Sequence, residues 1–140
     1  MADLSSIDKL KFEKLFDMGT GYVIDFSNRT FSEFILENTG IDIFNAKYNY
    51  GSGSKANRLR AFWQKEENHT VGQLLLKLLD YWMAKKETGF SEITPAEKNL
   101  YDECMKIAKG LAGEISINAA NSSIVINSYW NGYLITQNSF

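Results

Sequence analysis

Apolar residues recur at helical spacing in five stretches of this chain, and two short runs of β-favouring residues follow them. A cap at Ser5 or Ser6 predicts a first helix to about Phe16. Asp17-Met18-Gly19 is its expected stop, because glycine accepts the left-handed conformation that ends helices. Gly21 then opens a short extended run, Tyr22 to Phe26, with strand-like residues. Thr30 and Glu33 have the spacing of a capping box, in which each side chain satisfies the other residue's free backbone N–H. Phe31, Phe34 and Ile35 continue on one helical face, and Gly40 ends it. Ser54 closes the polar loop Asn49 to Gly53 and caps a third helix through about Lys65.

The longest helix is expected from Asn68 or Thr70 to Lys85. Val71, Leu75, Leu78, Leu79 and Trp82 form its main stripe, and Leu74 and Leu76 widen it until little polar face is left. A helix so apolar belongs at the centre of the core. Thr94-Pro95-Ala96-Glu97 joins a capping box to a proline at the first helical position, the clearest helix start in the chain. Ala96, Leu100, Cys104, Ile107, Ala108 and Leu111 then share one face.

The last segment differs in kind. After Glu114 no charged side chain occurs, and the runs Ile124–Trp130 and Tyr133–Gln137 flank Asn131-Gly132. Asn-Gly between such runs is a strong hairpin signal, since both residues tolerate the positive φ of a type I′ turn. The predicted fold class is therefore α+β. A mainly helical domain of about five helices (about 1–112) carries a charge-free C-terminal antiparallel β-hairpin (about 114–140), and the whole is a single domain.

Composition narrows the chemistry. Hydrophobic residues make up 44% of the 140 positions and charged residues 23%, which excludes wholesale disorder. A net charge of −2 gives no overall field to recruit nucleic acid or anionic lipid. The N-terminus is too charged for a signal peptide, and the most apolar stretch, Val71 to Met83, is too short and too interrupted to span a bilayer. The expected setting is the cytoplasm, with no membrane partner. One cysteine, Cys104, and one histidine, His69, rule out a disulfide framework and leave any zinc site short of ligands.

Four constellations remain. Between Asp42 and Glu66 no acid occurs, while Lys47, Lys55, Arg58, Arg60 and Lys65 are interleaved with Tyr48, Tyr50, Phe62 and Trp63. With the helix start behind Ser54, this loop-helix could contact phosphate or nucleic acid through Lys55, Arg58 and Arg60. Its competing interpretation is a capped, solvated helix with Phe62 and Trp63 in the core. His69 could act as a base, but no nucleophile accompanies it, and it reads better as a histidine at a helix terminus. Asp25, Glu33, Glu37 and Asp42 could surround a metal, although exposed acidic faces are common. Finally, the neutral hairpin would either fold onto the helices or offer Trp130, Tyr133 and Ile135 to another chain.

The blocks Gly21-Tyr22-Val23-Ile24-Asp25-Phe26-Ser27-Asn28-Arg29-Thr30-Phe31, Gly40-Ile41-Asp42-Ile43 and Gly53-Ser54-Lys55-Ala56-Asn57-Arg58-Leu59-Arg60-Ala61-Phe62-Trp63 resemble the N-terminal module of bacterial abortive-infection proteins of the AbiJ type, over about residues 15–112. The resemblance implies a regulatory or sensing role in phage defence, with an effector domain following the module. Here the hairpin follows instead, so the effector is expected on a separate chain, or the protein acts as a standalone regulator. The module contributes no known catalytic motif.

The resulting expectation is a non-catalytic, protein-interacting regulatory module that needs no cofactor or metal and is open to homo-oligomer formation. Its contact residues would be Trp130, Tyr133 and Ile135. The alternatives are a nucleic-acid or phosphoryl-ligand binder acting through Lys55, Arg58 and Arg60, and a small metal-dependent nuclease.

Overall fold

The computed structural model describes residues 1–113, and the predicted hairpin with Trp130, Tyr133 and Ile135 lies outside them. Five α-helices occur in the described residues: α1 (Ser6–Leu15), α2 (Asn28–Thr39), α3 (Lys55–Lys65), α4 (Asn68–Thr88) and α5 (Pro95–Ala112). Short 3₁₀ turns at Met18–Thr20 and Ala46–Tyr48 join them, and no strand is present among the described residues.

Capping decides most helix starts. Ser5, Ser54 and Thr94 each accept a bond from a backbone N–H in the first turn, and Ser5 and Thr94 complete reciprocal boxes with Asp8 and Glu97. The start of α2 departs from expectation. Ser27, not Thr30, is the cap, and Thr30 is its partner: Thr30 N donates to Ser27 Oγ (3.1 Å), and Ser27 N donates to Thr30 Oγ1 (2.9 Å). Glu33 is thereby free to pair with Arg29 one turn earlier (3.0 Å). At its other end α4 runs on to Thr88, three residues beyond Lys85, because no breaker precedes Gly89.

The stretch Tyr22 to Phe26 is a tight turn, not a strand. Val23 and Phe26 are both buried, and Phe26 N donates to Val23 O (3.1 Å). Ile24 is left at φ +55°, its N–H bonded to Phe16 O (2.7 Å). No strand adjoins it among the described residues, and the segment satisfies its backbone groups within the turn and on the end of α1. Phe26 stacks on Tyr81 of α4 with centroids 4.3 Å apart and also meets Phe31 and Phe34 of α2.

α4 is the central element, and Val71, Leu74, Leu75, Leu78, Leu79 and Trp82 are all buried. Burial of each large apolar side chain contributes on the order of 1.5–3 kcal/mol. α5 packs along α4, with Cys104, Ala108 and Ala112 buried, and α1 also lies against α5. Ala96, which the periodicity placed on the inner face, is instead exposed. The two long helices come closest at Gly72, where a β-carbon would stand 2.4 Å from Ala112 N and 2.8 Å from Ala112 Cα. His69 Nδ1 donates to Ala112 O (3.1 Å), satisfying a carbonyl at the C-terminal end of α5. The N-terminal residues close this end, with Ala2 N donating to Trp63 O (3.0 Å) and Asp3 N to Asn68 Oδ1 (2.7 Å).

Candidate functional site

Three cations of the basic loop-helix, Lys55, Arg58 and Arg60, are engaged within the fold, whereas Lys65 is exposed. Gly51 and Gly53 both take positive φ in the loop that leads into α3. Arg58 Nε donates to Gly53 O (3.1 Å), and its Nη1 donates to Ile43 O (3.2 Å) and Asn45 O (3.3 Å). Its guanidinium also covers the Phe44 ring at 4.8 Å. One planar fork thus ties three loop carbonyls to a helix, which the point charge of a lysine could not do.

Arg60 Nε pairs with Glu13 Oε2 (2.8 Å) on α1, and its Nη1 donates to Asn57 Oδ1 (2.9 Å). Lys55 is only 8% exposed. Its ammonium donates to Asn28 Oδ1 (3.1 Å) and sits 3.9 Å from the centre of the Tyr22 ring. Beside it, Ala56 N donates to Gly21 O (3.0 Å). The segments 21–31 and 53–63 therefore lock onto one another. Lys47, about half exposed, pairs with Glu66 (2.9 Å), which also accepts from the Tyr48 hydroxyl.

The other candidates are also accounted for. Asp25, Glu33, Glu37 and Asp42 do not converge, and the described residues contain no group of three or more potential metal ligands. Asp42 Oδ1 accepts from Phe44 N (3.0 Å). Cys104 is fully buried, and burial pushes its thiol up to about 12, far from a reactive thiolate.

A cleft of about 510 Å³, within the size range of ordinary ligand pockets, opens between the end of α1, the 22–26 turn, the C-terminal half of α4 and the start of α5. Leu15, Phe16, Ile24, Trp82 and Leu100 supply its apolar surface. Trp82 is held from behind by stacking on Tyr101 (5.5 Å). Two of the three non-glycine residues at positive φ, Asp17 (+53°) and Ile24 (+55°), lie on its wall. Asp17 tolerates this conformation, and it ends α1 in place of the expected Gly19. For the β-branched Ile24 the conformation is a true outlier that costs on the order of 1–3 kcal/mol. The buried Val23 and Phe26 on either side impose it.

Most charges around the cleft are paired. Lys86 joins Glu97 (3.1 Å) and approaches the Trp82 ring (5.2 Å), and Lys85 joins Asp25 (2.9 Å). Lys14 and Asp17 have no ion-pair partner among the described residues. The Tyr81 hydroxyl donates to Asp25 Oδ1 (2.7 Å). Partial burial pushes the Asp25 carboxyl up, but the bonds from Lys85 and Tyr81 outweigh it and leave the group below its usual value.

Burial first, and then the adjacent carboxylate, push Tyr81 up to about 12. An unfolded tyrosine ionises near about 10, so this contribution is complete below that value and is lost as pH rises from about 10 to about 12. The urea midpoint should therefore fall across that window, and Tyr81→Phe, which cannot ionise, should show a shallower fall.

Nothing in the residue pattern announced the cleft. Trp82 read as core and Ile24 as strand, and Lys14 was one charge among many. Compared with protein-family models, curated proteins and solved structures, the chain gives no match in any of the three.

Proposed function

We propose that the chain is a non-catalytic regulatory module that works through protein contacts, in the antiviral defence setting that its likeness to AbiJ-type modules implies. The supporting observation is the internal engagement of Lys55, Arg58 and Arg60. The residues that carry the resemblance join α1, α2 and α3 to the loops between them, which accounts for their pattern without a phosphate ligand or a reaction. The contacts are assigned to Trp130, Tyr133 and Ile135 of the charge-free tail, with an effector on another chain as the partner. Phosphate or nucleic-acid binding through the loop-helix is the weaker reading, because its donors already have acceptors.

The test is direct. Oligonucleotide binding to the full chain should be negligible at both about 50 mM and about 200 mM salt, whereas a phosphate-driven complex would form at the lower and weaken steeply toward the higher. Such a complex would overturn the proposal. In a bacterial host carrying the chain with its genetic neighbours, Trp130→Ala with Tyr133→Ala should abolish any effect on phage plating. Retention of the full effect would overturn the assignment to the tail.

A further inference from the structure

We propose that two copies of this chain associate end to end, each inserting Phe90 into the cleft of the other. Phe90 sits at the tip of the turn between α4 and α5, is 93% exposed and has φ +54°. Bonds from Phe90 N to Glu87 O (3.2 Å) and from Ser91 N to Lys86 O (3.0 Å) fix it there. The turn itself would be served without strain by glycine or asparagine. A phenylalanine at this place contributes neither turn geometry nor core, and it presents the most exposed large apolar side chain among the described residues. That combination is expected of an anchor residue that becomes buried on association.

The socket is close by. Lys86, four residues before the tip, and Ala96, six residues after it, both line the cleft, so finger and socket share one end of the molecule. A two-fold axis through that end lets each copy give a finger and receive one, closing the pair with no contact left open. Ile24, Trp82 and Leu100 offer the phenyl ring an apolar seat. The charges around the contact fit a second copy. Glu87 and Glu92 flank Phe90, both are exposed, and neither has an ion-pair partner among the described residues, while the unpaired cation on the cleft wall is Lys14. Asp17 on the same wall opposes them, so the pairing falls to Lys14 alone.

Ala96 at the cleft and Ala112 at the other end of α5 are about 24 Å apart, at about 1.5 Å per residue. Sedimentation velocity on the full chain should show the mass rising from 15.9 kDa toward twice that value with concentration. The span to cover is about 1 μM to 1 mM, where weak, small interfaces form. Phe90→Ser should stay monomeric, and at about 1 μM, where wild type is monomeric too, its melting curve should match wild type, since the residue it replaces touches little. Ala96→Trp, which fills the socket from an exposed position, should also stay monomeric, and an equal mixture of the two variants should recover part of the association through one finger and one socket. Lys14→Glu should weaken the pair at least tenfold, and Lys14→Glu with Glu92→Lys should restore it. Trp130→Ala with Tyr133→Ala should change nothing here. A wild-type chain monomeric throughout, or a Phe90→Ser variant that associates as wild type does, would overturn the inference.

Discussion

Replacing Gly72 by alanine should lower stability by about 3 kcal/mol, although alanine is the better helix former by about 1 kcal/mol. The added methyl would stand 2.4 Å from Ala112 N and 2.8 Å from both Ala112 Cα and Leu111 C, all backbone atoms that no rotamer change can move aside. α4 and α5 would have to part along the tightest contact in the structure, loosening the bond from His69 to Ala112 O. For a domain of this size the midpoint of thermal unfolding should drop by about 10–15 °C. Thermal melts monitored by circular dichroism test the prediction, and a melting temperature equal to wild type would mean that the helices do not cross at this residue.

The second large effect is expected at Arg58. Its guanidinium bonds to the carbonyls of Gly53, Ile43 and Asn45, and truncation removes that donor from all three, leaving only Asn45 O with a second one, Tyr48 N (3.0 Å). Bonds to charged donors are individually worth more than neutral ones, and Arg58→Ala should cost about 2–3 kcal/mol in urea denaturation. Arg58→Lys should recover little of this, because one ammonium cannot reach three divergent acceptors. A residue whose role was to hold phosphate would behave the other way. Its removal would leave the fold untouched or improve it, by relieving repulsion among like charges.

Much of the fold was legible because its signals are local. Ser54 and the Thr94-Pro95-Ala96-Glu97 box start helices through bonds within one turn, and the stripe from Val71 to Trp82 states its own burial. The start of α2 was misplaced by one such local pattern. The spacing of Thr30 and Glu33 imitates a capping box, whereas the helix is capped by Ser27, with Phe26 and Phe31 buried on either side. The 22–26 run looked like a strand because valine, isoleucine and phenylalanine favour strands, but a strand needs a partner and none adjoins it among the described residues.

The loop-helix was legible as chemistry and not as geometry. Five cations without an acid between Asp42 and Glu66 mark a basic segment, yet the acceptors of Lys55, Arg58 and Arg60 are the Asn28 amide, carbonyls from residues 43–53 and the Glu13 carboxylate, which no spacing rule connects to them. The cleft was the least legible feature of all. It is assembled from four separate segments, and the strain at Ile24 arises only once Val23 and Phe26 are both buried. The strained tip at Phe90 was equally silent, since a Gly-Phe-Ser turn carries no motif.

That Lys55, Arg58 and Arg60 of the loop-helix hold the fold together is open to direct observation by nitrogen-resolved NMR of the arginine side chains in the full chain. Arg58 and Arg60 should give sharp, slowly exchanging Nε–Hε signals in the free protein, because Gly53 O and Glu13 hold those protons. Their shifts should stay fixed when inorganic phosphate or an excess of oligonucleotide is added. Signals absent from the free protein that sharpen only on adding such an anion would contradict the claim.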